Sequence, residues 1–497
     1  MEEPAAGSGA AASGEPPAEE EDGEEEEEPP AETERKLWRQ NAAVLYDLFV
    51  GCTLEWPALT VAWLPDEPDE GCRLAIGLHT DGSVPNEVIV AELDCSVEGR
   101  LDVGDPWRSW QLEGFGAAEG FGCSVEGGGG PLRPLARMAH PTEVNCVAPC
   151  PRRPQLLATK AATGTVLLFD YKAERPAKEV RPDAQLVAPG PAVDGFALGW
   201  SPLRGNLLAS GGNDGRLCTW DIEAALKARP CEPLQCLTAH KGAVCDLVFS
   251  RQDPSVLASV GDDGLLCLWD SRAGSTSQLT SVVSRDEVLA VDWSFHWERT
   301  VATAGKDREV RVWDLRSPAT ALHTLSGHRG DAVSVRWAPF REALLASGSA
   351  DTRLNIWDLS PQQADKARQL EQQDGEVEAP ELLFAHGGHE AGVSGLAWSD
   401  VDDFLLCSVA EDNSLQIWQP STVFYLADSD GEGEEADDGE MLLPPPACAE
   451  SSLQEPQPAP EALPEPRPTA EPAPEPAHKA KRARVAPQVM EGPPPSQ

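Results

Sequence analysis

His328, Ser347 and Asp351 supply an imidazole, a hydroxyl and a carboxylate, with Trp357 close behind. Such a set could activate a serine for acyl transfer. The same His-to-Asp arrangement recurs at His240 with Asp263 and at His389 with Asp412. A nucleophile is needed once, whereas hydrogen bonds tying strands to a turn are needed in every copy of a repeated unit. The repetition therefore predicts a structural network and no enzyme activity. Other chemistry is sparse. The sequence has no phosphate-cradling loop, nucleophile elbow or metal-spaced His/Cys cluster, and its 13 cysteines include no CxxC pair. Neither a metal nor another cofactor is expected. The cysteines read as reduced, buried small hydrophobes of a cytosolic or nuclear protein.

These residues belong to a unit that runs from Gly327 to Leu359. Apolar runs at 332–337, 344–347 and 354–357 are separated by Pro339-Phe340 and by Ala350-Asp351-Thr352. The runs have strand length, and the residues between them are turn formers. Gly327-His328 opens the unit and Trp357-Asp358 closes it. The closing aromatic recurs as Phe169, Trp220, Trp269, Trp313, Trp357 and Trp418. Asp214, Asp263, Asp307, Asp351 and Asp412 each stand six residues before a closing Trp, and Thr163 takes that place before Phe169. First runs recur at 144–148, 196–200, 244–249, 288–293 and 393–398, and one further unit is read at 59–63, 73–78 and 87–93. Seven units of about 40–60 residues match the period of propeller blades. A blade buries both faces only when neighbours stack on it, so one toroid over 52–425 is expected. The fold class is all-β, a seven-bladed WD-repeat β-propeller.

A helix is expected over 34–51, from ERKLWRQNAAVLYDLFV. Leu37, Trp38, Val44, Leu45, Leu48 and Phe49 cover a wide arc, enough to pack on the propeller and still offer a face to a partner. Gly51 stands where a left-handed cap belongs. Pro57 biases Trp56 towards extended backbone, and this N-terminal strand region is expected to close the ring against the last blade. Residues 1–33, with the acidic run 24–28, read as a disordered tail. So do residues 426–497, acidic at 428–440, Pro-rich to Pro476, then basic at Lys479, Lys481, Arg482 and Arg484. The basic cluster reads as a nuclear-import signal and places the protein in the nucleus. A formal net charge of −44 argues against a direct grip on nucleic acid and favours basic partners, with histones the obvious class. No apolar run is long enough to span a membrane.

Three stretches, WRQNAAVLYDLFVGCTLEWPALTVAWLPD, DGEVEAPELLFAHGGHEAGVSGLAW and LLCSVAEDNSLQIWQ, resemble the histone-binding, retinoblastoma-associated (Msi-like) WD-repeat family over residues 38–418. The resemblance implies a scaffold with two binding surfaces. It is shared by chromatin-assembly, Polycomb-type, histone-deacetylase and nucleosome-remodelling complexes. One surface clamps a basic histone helix between the N-terminal helix and an inserted loop of the last blade, here 369–384. Trp38, Val44, Leu45 and Leu48 would supply its groove, and Asp374, Glu376, Glu378 and Glu381 its charge. The other takes basic tails at the channel mouth, through Glu55, His79, Glu143, Asn145, Asp194, Phe196, Asp262, Asp331 and Glu411. Departures from the family pattern are Val377-Glu378, Ala379-Pro380, Phe196, Cys146, Cys245, Leu289, Val333 and Gly392.

Trp269-Asp270-Ser271-Arg272 and Trp313-Asp314-Leu315-Arg316 also resemble the box of WD-repeat receptors for cullin-type ubiquitin ligases. In that alternative reading Arg272 and Arg316 would contact the ligase adaptor. A further alternative, drawn from the acidic tails, is a histone or ribosomal-protein chaperone of ribosome assembly.

Overall fold

The short apolar runs pair as antiparallel strands into seven four-stranded sheets. The computed structural model describes residues 30–65, 71–93, 132–173, 180–191, 193–227, 231–238, 240–274, 277, 279–374 and 379–425. Residues 1–29 of the tail expected at 1–33, and the whole of the tail expected at 426–497 with the import signal, lie outside the described residues. The inner strands of blades 1 to 7 are Ala58–Trp63, Val144–Cys150, Leu198–Trp200, Val244–Phe249, Val288–Trp293, Ala332–Trp337 and Val393–Trp398. They neighbour one another around the ring. The core is correspondingly divided into seven apolar layers, one at each junction between blades.

The repeated polar residues hold each blade together. In blade 6 the Trp357 indole donates to Ser347 Oγ at 2.8 Å, and Ser347 lies 2.7 Å from His328 Nε2. His328 Nδ1 meets Asp351 at 3.3 Å. The carboxylate can only accept, so Nδ1 carries the proton and the serine hydroxyl donates to Nε2. Blade 4 repeats this with Trp269, Ser259, His240 and Asp263. Blade 7 does so with Trp418, Ser408 and His389, whose Nδ1 meets Ser414 at 2.7 Å. All three serines have 0% exposure, which withholds them from any substrate. The Asp of each unit also shapes the turn after the second strand. Asp351 accepts from the backbone of Arg329 and Arg353, and Asp214, Asp263, Asp307 and Asp412 each accept from the N–H two residues on. The residue after the Asp has a left-handed backbone, Gly in blades 3 and 4 but Arg308, Thr352 and Asn413 in blades 5 to 7. The turn bonds hold these side-chain-bearing residues in a region that favours glycine.

Ring closure differs from the sequence expectation. The helix is Pro30–Leu45, not 34–51, and it begins inside the stretch assigned to the tail. Its successor is the strand Tyr46–Thr53, which pairs antiparallel with Ser414–Pro420 as the outer strand of blade 7. Leu48 and Phe49 are therefore strand residues, and Gly51 is paired with Gln416 rather than capping a helix. Closure comes before Leu54, because Ala58–Trp63 is already the inner strand of blade 1. The insertion is also displaced by one blade. It joins the third and fourth strands of blade 6, Leu354–Asp358 and Leu382–His386, and contains the helix Pro361–Asp374. The unit Gly327–Leu359 thus supplies the three inner strands of blade 6, and the outer strand, Leu382–His386, comes only after the insertion.

The network makes stability depend on pH. Burial works against the Asp351 charge, but the hydrogen bond from His328 and the N–H groups of Arg329 and Arg353 outweigh it and hold its pKa down to about 2. A carboxyl depressed in the folded state adds stability that is complete above its unfolded value of about 4 and is lost as pH falls through about 2. Asp351→Asn is expected to cost roughly 2 kcal/mol in denaturant unfolding at pH 7, the difference from the parent closing between about pH 4 and pH 2. A difference independent of pH would contradict the ionic account.

Candidate functional site

One candidate surface is built on the N-terminal helix. Trp38, Ala42 and Tyr46 stand four residues apart and all are buried, so the docked face follows helical spacing to its end. The Trp38 indole donates to the Tyr46 hydroxyl at 2.8 Å, and that hydroxyl in turn donates to His386 Nδ1 at 2.7 Å. His386 Nε2 then donates to Gln416 Oε1 at 3.0 Å, and Gln416 donates to the Gly388 carbonyl at 3.0 Å. The direction is fixed because the indole can only donate. Burial, with the charge of His389, pulls the His386 pKa well down and keeps the ring neutral, despite the opposing bond to Gln416. The ring stacks on Trp418 with centroids 4.3 Å apart. Near the start of the helix, Arg35 pairs with Glu390, and Arg39 lies 3.7 Å from the same carboxylate.

The outer face of the helix is apolar and uncovered, Leu37 being 53% and Val44 71% exposed. A cleft of about 760 Å³ separates this helix from blade 6. Leu37, Asn41 and Leu45 line one wall, and Ala385 to Gly387 with the turn Asp351 to Arg353 line the other. Of the anticipated groove residues, Val44 and Leu45 lie on this helix. Trp38, on the same helix, is a largely buried anchor that still borders the cleft, and Leu48 sits on the closing strand, packed against the layer between blades 7 and 1. Asp374 ends the blade 6 helix, and Glu381 is half-buried just before the strand Leu382–His386. Glu376 and Glu378 lie outside the described residues. Leu37 was read as part of the helix's apolar arc without being assigned to the groove, and Asn41, Arg329, Arg353 and Glu390 were not anticipated. The helical spacing of Leu37 and Asn41 to Leu45 was the available signal for the first two.

The second surface is a rim of residues that flank the inner strands. In every blade but the third, antiparallel pairing brings the residue before the inner strand beside the residue after the second strand, joined by a backbone bond. In blade 3 the bonded pair, Asp194 and Asn213, stands further out from the strand ends. His79 thus donates to Pro57, Ala162 to Glu143, Asn213 to Asp194 and Asp262 to Ala243. Lys306 donates to Glu287, Ala350 to Asp331 and Glu411 to Gly392. The anticipated rim residues His79, Glu143, Asp194, Asp262, Asp331 and Glu411 are brought to one face by this rule. Glu55 is exposed three residues before the blade 1 strand. Phe196 is 49% exposed just before the blade 3 strand. His79 Nε2 lies 3.4 Å from Glu143. Asn145 is buried and donates to Asp194 at 2.7 Å and to the Gly195 carbonyl at 3.0 Å, so it orients the carboxylate. Glu287 and Lys306, ion-paired at 2.5 Å, were missed, although the same register rule identifies them. Among the described residues, no group of three or more His, Cys, Asp or Glu is placed to hold a metal ion.

Residues 33–96 match a family model described as that of the histone-binding protein RBBP4 and the corresponding component of the CAF1 complex. Residues 231–270, 319–358 and 380–419 match the WD domain, G-beta repeat. The chain is a WD-repeat protein whose residues 33–96 are similar to the histone-binding, Msi-like family. The segment that carries the specific match contains most of the helix, the closing strand and three of the four strands of blade 1. Two departures from the Msi-like pattern have local explanations. The Cys245 thiol donates to Asp262 at 3.0 Å, and burial followed by that carboxylate drives its pKa up. Burial, with the charge of Asp246 adding to it, pushes Cys146 up to about 12. Both cysteines are therefore uncharged thiols. Arg272 and Arg316 stand at the opposite face, each bonded to its own repeat's Asp, Asp270 or Asp314, and Arg272 also to Asp253.

Tyr46→Phe removes the hydroxyl between Trp38 and His386 and leaves two buried polar groups unpaired. A loss of about 2–3 kcal/mol is expected in denaturant unfolding. Trypsin should also cut faster after Arg35, Lys36 and Arg39. Unchanged stability and cleavage would show that the hydroxyl does not anchor the helix.

Proposed function

We propose that the protein is a nuclear, non-catalytic scaffold that binds core histones for chromatin-assembly, remodelling, deacetylase or Polycomb-type complexes. The observation that carries the reading is that the segment with the histone-binding family match, 33–96, includes the exposed helix wall of the cleft. In this reading a basic amphipathic histone helix lays its apolar side on Leu37, Val44 and Leu45. Burial of apolar area supplies affinity, and helix-in-groove packing supplies register. Asp374, Glu376, Glu378 and Glu381 then pair with its Arg and Lys side chains.

The rim is the proposed site for a basic tail. Carboxylates from separate blades converge on one mouth, where low-dielectric walls focus their field on an incoming cation. Its residues in this role are Glu55, Glu143, Asp194, Asp262, Asp331 and Glu411, with His79, Asn145 and Phe196 beside them. The helix site rests on contact area as well as charge, whereas the rim rests mainly on charge.

Direct binding to an H3–H4 tetramer, measured by pull-down with purified components, is expected at about 0.1 M salt and is expected to weaken steeply towards 1 M. Reversing Glu376, Glu378 and Glu381 to Lys together is expected to weaken a histone helix peptide roughly tenfold or more, without loss of rim binding. No retention at low salt would overturn the histone reading. Retention with unchanged affinity in the triple variant would move the helix site elsewhere.

A further inference from the structure

The fourteen positions joined by the rim bonds include carboxylates in six blades, namely Glu143, Asp194, Asp262, Glu287, Asp331 and Glu411. Among these described positions a Lys or Arg occurs once, as Lys306 in blade 5. Its ammonium lies 2.5 Å from Glu287, and both side chains are partly exposed, at 44% and 39%. Glu287 raises the pKa of Lys306, and Asp331 and Asp262, from the two flanking blades, add to that effect. The amine is therefore held charged, in the field that would attract a ligand's own cation. The pair is solvated, so its contribution to folding is small. Its effect on a ligand is larger, because an arriving guanidinium or ammonium must displace Lys306 or leave Glu287 unused.

We propose that Lys306 is a built-in competitor at the rim: it occupies the blade 5 carboxylate in place of a ligand cation and sets how tightly basic tails bind. The inference rests on the tail-binding role of the rim and adds a residue that limits affinity there. Lys306 contributes one positive charge among six carboxylates, ion-paired with Glu287 and within the field of Asp262 and Asp331. A ligand whose cation density matches the five remaining carboxylates bypasses the pair. A ligand that needs blade 5 meets repulsion. Lys306 thereby selects among basic tails by where their charges fall, and that selection is lost when the amine is removed.

The probe is a synthetic H3 N-terminal tail peptide, titrated by calorimetry against the full chain at about 0.1 M salt. Lys306→Gln is expected to tighten binding about three- to tenfold, and the gain should shrink at about 0.5 M salt. If the competition runs through Glu287, the gain should vanish in a Glu287→Gln background, which a double-mutant cycle measures directly. Tail binding that is unchanged or weaker in Lys306→Gln overturns the inference and leaves the tail reading standing. So does an equal gain in the Glu287→Gln background, which would indicate a diffuse field effect. Binding absent from both the parent and Lys306→Gln overturns the tail reading itself, and the inference with it.

Discussion

A ring of sheets buries its inner layers only if the first and last sheets meet. Here eight residues near the start of the chain, Tyr46–Thr53, complete the blade that the end of the domain began. The junction is reinforced beyond the strand ladder. Ser421 donates its N–H to the Leu45 carbonyl at 2.9 Å, and Thr422 donates to Asp47 at 2.9 Å. Tyr46 sits at the turning point, the last inward residue of the helical face and the first of the closing strand. The helix that lines the cleft is thus an extension of the closure. A ligand on its outer face leans on the hydrogen-bond chain from Trp38 to Gln416, and undocking the helix would expose the edge that seals the ring.

Much of this was legible because the chain solves one problem seven times. The Asp six residues before each closing Trp recurs because each turn needs an acceptor for the N–H two residues on. The His and Ser recur because the indole and imidazole need partners where water is excluded. The boundary between Leu45 and Tyr46 was not legible. Leu45, Leu48 and Phe49 fit a helical spacing as well as a strand, and the partner that decides between them lies some 370 residues away. The burial of Trp38 was not legible for the same reason, since the acceptor that draws it inward is engaged with His386 from blade 6. The rim residues came from family resemblance, and Glu287 and Lys306 were overlooked because that resemblance was followed instead of the register of the strands.

The two surfaces differ in physical character, although the whole chain carries a net charge of −44. The described walls of the cleft mix Arg35, Arg329 and Arg353 with Asp351 and Glu390 around an apolar floor. The charged side chains at the bonded rim positions are all acidic apart from Lys306, with His79 and small or uncharged residues between them. Contact area and shape govern the first, and field strength the second. In the proposed reading, the helix of a basic partner takes the first surface and its extended tail the second.

Hydrogen–deuterium exchange of the full chain, alone and with H3–H4, tests the central claim most directly. The account predicts slowed exchange in two places: residues 35–45 with 382–387, and the turns that follow the second strands of the blades. Protection confined to the opposite face, around Arg272 and Arg316, with the helix and rim unchanged, would contradict it.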